Sequence, residues 1–82
     1  MPYIKQERRE GLGFLDFYPE NSGELNFVLT SIVIRYLENH GLEYKTCNDI
    51  VGALENCRHE FQRRIQDPYE DKKIQDNGDV YE

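Results

Sequence analysis

The sequence predicts an all-α fold: an antiparallel helical hairpin, with a short C-terminal helix after it and an irregular or short-helical N-terminal segment before it. Apolar residues recur at helical spacing in residues 23–39 and again in residues 46–66. A residue suited to N-capping stands near the start of each stretch, and Gly41 or Pro68 follows its end. With 82 residues, the chain is expected to form a single small helical domain, residues 1–82, with little stability in reserve.

The N-terminal segment has no long helical pattern. The first ten residues are mostly charged and are expected to form a short helix or an arm. Gly and Pro are then dense between Gly11 and Gly23, which opposes a long helix. That stretch is too apolar for a solvated linker, so we expect it to pack irregularly against the rest of the domain. Its large apolar side chains are Leu12, Phe14, Leu15, Phe17 and Tyr18.

The first long helix is predicted over residues 23–39. Asn21 can act as its N-cap, and Glu24 stands three residues later, as in a capping box. Asn39, His40 and Gly41 supply the C-terminal stop.

This helix has apolar side chains on two opposite faces. At about 100° per residue, most of them share one broad face, but Phe27 and Ile34 lie together on the reverse side. A small monomer has one core to fill, so this second face needs a cover. Residues 12–18 or a second copy of the chain could supply it, and we expect both to contribute. The predicted oligomer or partner interface consists of Phe27, Thr30, Ser31 and Ile34.

The second long helix is predicted to begin between Thr46 and Asp49 and to run to about Gln66. Thr46 or Asn48 can cap it, with Tyr44 as a hydrophobic staple. The loop before it is short, which favours antiparallel packing of the two helices. One narrow apolar stripe runs along this helix and consists of Ile50, Leu54, Cys57, Phe61 and Ile65.

The dipeptide Asp67-Pro68 is predicted to end the second helix, because a residue before proline avoids the α conformation. Asp67 can then cap a short helix over residues 67–75, with Pro68 at its first position. Residues 76–78, Asp-Asn-Gly, close it.

Composition and charge limit the functions of the chain. It is 38% hydrophobic and 32% charged, which is typical of a soluble globular domain. Its net charge of -6 and pI near 4.8 repel phosphate backbones and anionic membranes, so we expect no binding to nucleic acid or membrane. The charged first ten residues do not fit a signal peptide, and Arg35 interrupts the longest apolar run. These features predict a cytoplasmic protein.

The two cysteines, Cys47 and Cys57, are predicted to be free thiols. On one helix they would lie about 15 Å apart, which is too far for a disulfide. Cys57 belongs to the apolar stripe, so it is expected to be buried and a poor nucleophile. With His40 and His59 they lack the close pairing of a zinc site. We therefore predict no catalytic residue, no metal and no cofactor, and hence no enzyme.

Aromatic and cationic side chains converge near the C-terminus. The alternative function is therefore a sponge that sequesters a small anionic nucleotide by stacking and charge neutralisation. Its candidate anion-binding residues are Arg63, Arg64, Tyr69, Lys72 and Lys73. The favoured interpretation is simpler, with Tyr69 packing the C-terminal helix onto the helix before it.

Several blocks of the sequence resemble a family of small bacterial and phage proteins known only as a domain of unknown function. They are MPYIKQERRE at the start, GELN at 23–26, RYLE at 35–38, VGALE at 51–55 and PYEDKKIQDNGDVY at 68–81. The chain departs from the family between Gly11 and Ser22, where relatives tend to be more regularly helical. The resemblance implies a phage or prophage context and brings no activity or catalytic residues.

These observations favour a non-enzymatic helical interaction module. We expect it to self-associate, most simply as a dimer, through the face that carries Phe27 and Ile34. Its partner would be a host or phage protein, with the chain serving as a phage or prophage accessory protein.

Overall fold

The computed structural model of the protein describes residues 4–12 and 18–81, and the elements it describes are helical. They are α1 (Gln6–Leu12), α2 (Ser22–His40), α3 (Tyr44–Phe61), a π-helical segment (Gln62–Gln66) and α4 (Asp67–Asn77). No strand occurs within the described ranges. The predicted all-α fold is confirmed.

The N-terminal part contains a short helix, α1. A short helix was one of the two alternatives predicted for the first ten residues. Arg9 folds back on its start, donating from Nε to the Ile4 carbonyl oxygen at 2.7 Å. The predicted irregular packing of Phe14, Leu15 and Phe17 lies outside the described residues.

Helix α2 extends one residue beyond each predicted end. Asn21 caps it as predicted, since its Oδ1 accepts a hydrogen bond from the Glu24 amide at 2.9 Å. The Glu24 carboxylate in turn accepts from the Glu20 amide at 3.0 Å, a near relative of the capping box. At the other end Gly41 has φ 85°, a conformation that favours glycine, and its amide donates to the Leu37 carbonyl at 2.7 Å.

Helix α3 begins earlier than the sequence predicts. Its first residue is Tyr44, and the N-cap is Glu43, whose side chain makes no capping hydrogen bond. Thr46 and Asn48 therefore do not cap this helix, and the predicted staple is wrong because Tyr44 is exposed. Only residues 41–43 separate the two helices, so α3 begins before the candidate caps Thr46 and Asn48 are reached. Thr46 lies inside the first turns and is only 4% exposed.

The chain does not break at Asp67-Pro68, contrary to the prediction. Asp67 has φ -63° and ψ -47°, a helical conformation, and its amide donates to the Gln62 carbonyl in the wider hydrogen-bond pattern of a π-helix. A proline lacks an amide hydrogen and crowds the carbonyl four residues earlier. The π-helical segment accommodates that defect, so Asp67 lies inside the helix and does not cap it. The short C-terminal helix exists as α4 and ends at Gly78, with φ 85°.

As a result, one helical rod runs from Tyr44 to Asn77, and we call it the long helix. At a rise of about 1.5 Å per residue it is about 50 Å long. The largest dimension of the molecule is 49 Å, so the long helix spans the protein from end to end.

Helices α2 and α3 contact each other beside the loop that joins them. The Tyr36 hydroxyl donates to Asp49 Oδ2 at 3.2 Å, and a cavity of about 250 Å³ lies between the helices. Its walls are Leu29, Ile32, Val33, Tyr36, Asp49, Ile50, Ala53 and Leu54. The antiparallel direction of the two helices stays a prediction.

The described part of the chain buries no apolar side chain fully. Cys57 is exposed, so its predicted burial is wrong: α2 lies against Ile50 and Leu54 of this stripe, and Cys57 is not among the walls of the cavity between the helices. The accessible surface of 7873 Å² compares with about 5,200 Å² for a compact monomer of this mass. The radius of gyration is 16.7 Å, against about 12 Å for a compact chain of this length. The single chain is therefore an open, extended structure.

Candidate interaction surface

The predicted interface on α2 is exposed. Phe27 is 72% exposed, and Ile34 lies beside it on the side of the helix about 180° from the α3 contact. The Ser31 hydroxyl donates to the Phe27 carbonyl at 2.9 Å and so is satisfied within the helix. This face thus presents apolar groups with little hydrogen-bonding demand of its own.

A groove of about 600 Å³ borders Phe27, and we call it the α2 groove. It is lined by Tyr18, Pro19, Glu24, Phe27, Val28, Ser31, Ile32 and Arg35. Of the four predicted interface residues, Phe27 and Ser31 line it, whereas Thr30 and Ile34 are not among its walls. Val28 and Ile32 in its walls belong to the broad apolar face of α2, which helical periodicity assigns to the core, so the sequence pattern gave no indication of a groove there.

A second apolar surface lies on the far half of the long helix. Phe61, Ile65 and Tyr69, which we call the distal stripe, are each between 57% and 60% exposed. In a regular α-helix Tyr69 would lie about 80° around the axis from Phe61. A π-helical turn holds about one residue more than an α-helical turn, so the π-helical segment between them is expected to place the three near one line.

The candidate anion-binding residues form two groups in the structure. Arg63 and Arg64 both reach Glu60 Oε2, at 3.4 and 3.1 Å. Lys73 Nζ lies 5.6 Å from the centre of the Tyr69 ring. Tyr69 does not pack one helix onto another, because α4 continues the same rod as α3 and the ring is exposed. The nucleotide-binding alternative stays a prediction.

A small group of charged and polar side chains lies beside the loop between α2 and α3. Lys45 Nζ lies 3.0 Å from Asp49 Oδ2, the same oxygen that accepts from Tyr36. The hydrogen bond from Lys45, aided by that from Tyr36, lowers the pKa of the Asp49 carboxyl below its ordinary value. The same contact raises the pKa of Lys45. Of these contacts, the hydrogen bond from Tyr36 to Asp49 joins α2 to α3, and the pair of Lys45 and Asp49 lies within α3.

Among residues 4–12 and 18–81, no group of three or more His, Cys, Asp and Glu side chains is placed to hold a metal ion. Over those same ranges, none of the helices combines the length and the apolar character needed to cross a bilayer.

The chain was also compared with known proteins. No curated protein and no solved structure matches it at a significant level. One family model does match, over residues 1–80, and that family is described as a Domain of unknown function (DUF6899). Since the match covers nearly the whole sequence, the chain belongs to the DUF6899 family.

Proposed function

We propose that this protein is a non-enzymatic helical interaction module that self-associates, with a dimer favoured, and binds a protein partner. The observation that carries the proposal is the absence of a fully buried apolar side chain among the described residues. Burial of apolar surface is the main favourable term in folding. A chain of 82 residues that leaves its large apolar side chains in water needs another surface to cover them.

The surface that the chain exposes in excess of a compact monomer is similar in size to the surface that obligate dimers bury. The chain exposes about 2,700 Å² more surface than a compact monomer of its mass, for a total of 7873 Å². Obligate dimers bury about 2,000–5,000 Å² or more over both partners. The excess on two chains is therefore sufficient for an obligate interface.

The proposed phage or prophage setting rests on the resemblance of the sequence blocks to small bacterial and phage proteins. A phage or prophage accessory protein that binds a host or phage protein fits a small, acidic, helical chain. An acidic surface around apolar faces favours protein partners over nucleic acid, because phosphate backbones are repelled.

Light scattering coupled to size-exclusion chromatography tests self-association. The wild type is expected to elute at twice the chain mass, and Phe27→Asp as a monomer, because a carboxylate in a dry interface is costly. Leu42→Asp is the matched control: Leu42 is 81% exposed, close to the 72% of Phe27, but lies in the loop between α2 and α3. A well-folded wild-type monomer would contradict the proposal.

A further inference from the structure

We infer that the distal stripe of each copy docks into the α2 groove of a second copy, so that two chains exchange the same contact about a two-fold axis. This inference rests on the proposed self-association and specifies which surfaces meet. The occupant of the groove is thus Phe61, Ile65 and Tyr69 of another copy of this chain.

The first argument is the register of the apolar stripe. Ile50 and Leu54 line the cavity against α2, and the distal stripe continues on the same helix beyond them. Without the π-helical segment the stripe would rotate away by about 80° between Phe61 and Tyr69. With it, the three side chains stay aligned although Pro68 stands among them. Because the distal stripe keeps its direction past Pro68, we expect it to pack against another apolar surface.

The second argument is that the chain's own α2 does not cover this line. The cavity between the helices ends at Leu29 and Leu54. Beyond that point Leu25 on α2 and Phe61 on the long helix are both half exposed or more. Within the described residues, the walls of the α2 groove come from residues 18–35, and none comes from the distal stripe. Neither surface is therefore covered by the other on the same molecule.

The third argument is symmetry. Each chain carries the distal stripe as an apolar ridge and the α2 groove as a surface that can receive it, and a two-fold axis lets each copy fill the groove of the other. Both open surfaces are then covered in both copies, and the assembly closes as a dimer. Two chains together expose about 5,400 Å² more surface than two compact monomers. That area is in the range that large, apolar obligate interfaces bury.

Disulfide trapping between differently labelled chains tests this contact. Both native cysteines are exposed, so they are first replaced by serine. One chain, isotopically heavy, then carries Ser31→Cys in the groove, and the other carries Gln66→Cys beside the distal stripe. The two are mixed unfolded, refolded together and oxidised, and the products are weighed by mass spectrometry. The control replaces Gln66→Cys with His59→Cys, which lies on the opposite side of the long helix.

The expected product is a heavy-light disulfide between positions 31 and 66, at least fivefold more abundant than with the control. Three results would overturn the inference, and they separate it from the proposed function. A dimer by light scattering that links only position 31 to position 31 rejects the docking of the stripe but keeps self-association. A chain with both substitutions that closes a disulfide within itself at high dilution shows that the groove takes its own stripe. A folded monomer rejects both proposals.

Discussion

The two halves of the long helix carry the same apolar periodicity but have different surroundings. In the half next to the loop, Thr46 is buried and Asp49 accepts a hydrogen bond from Tyr36 of α2. In the far half, Phe61 and Ile65 are more than half exposed. The comparison shows that an amphipathic pattern predicts that a face is covered, but does not say which chain covers it.

The energetic difference between these halves is large for a small domain. Full burial of a large apolar side chain contributes about 1.5–3 kcal/mol relative to leaving it exposed. An exposed distal stripe therefore leaves the isolated chain several kcal/mol less stable than if the stripe were buried. The free energy of unfolding of a whole domain is only about 5–15 kcal/mol. Folding and association are expected to be coupled in this protein.

The largest effect is expected from a charge in the distal stripe. Ile65→Asp places a carboxylate in the dry centre of the inferred contact, and the dissociation constant of the dimer should rise at least about 30-fold, as for a hot-spot residue. Helical circular dichroism at low concentration should fall with it. The measurement is light scattering over a dilution series.

Val51→Asp is the matched control for this change. Val51 is 66% exposed and Ile65 58%, and both lie on the long helix, but Val51 lies in the half next to the loop and is not part of the distal stripe. The control should leave the dimer within about threefold of the wild type, which is the scale of a surface substitution. If both variants weaken the dimer equally, the far half of the helix is not a distinct contact surface.

A smaller effect is expected from Pro68→Ala. Alanine restores the missing amide, and an interior proline costs about 3 kcal/mol relative to alanine, so the helix itself should become more stable. A regular α-helix would then turn Tyr69 by about 80° from Phe61. We expect stronger helical circular dichroism together with a dimer weakened about tenfold.

Glu70→Ala controls for a general gain in helix propensity, because it changes α4 without touching the π-helical segment. It should leave the dimer unchanged. A Pro68→Ala variant that dimerises as tightly as the wild type would show that the π-helical segment does not set the register of the stripe.

Local signals in the sequence were enough to predict most of the helices. Asn21 and Glu24 at one end and Gly41 at the other define α2, because capping and positive φ depend on neighbouring residues alone. The break at Pro68 was wrongly predicted for a related reason. A residue before proline usually avoids the helix, but the π-helical segment removes the clash without ending the rod.

The candidate site was less accessible to sequence reasoning. The reverse face of α2 with Phe27 was found, because helical periodicity places it there. Phe61 and Ile65 were assigned to the apolar stripe of the second helix, and Tyr69 to packing between two helices or to anion binding. One available signal was their spacing: Phe61, Ile65 and Tyr69 recur at four and four residues, which a regular α-helix does not keep on one line.

The smallest effect is expected from a substitution in the half of the long helix next to the loop, which already contacts α2. Asp49 has a pKa lowered from the ordinary 3.8, through its hydrogen bonds with Lys45 and Tyr36. A lowered folded-state pKa means that the contribution of this carboxylate to stability is complete above 3.8 and is lost as pH falls through the folded value. Melting temperatures of the wild type and Asp49→Asn should therefore differ at neutral pH and converge below that range. Asp71→Asn, in the far half, should track the wild type throughout. A wild-type and Asp49→Asn difference that persists unchanged into acid would mean that Asp49 acts through packing rather than charge.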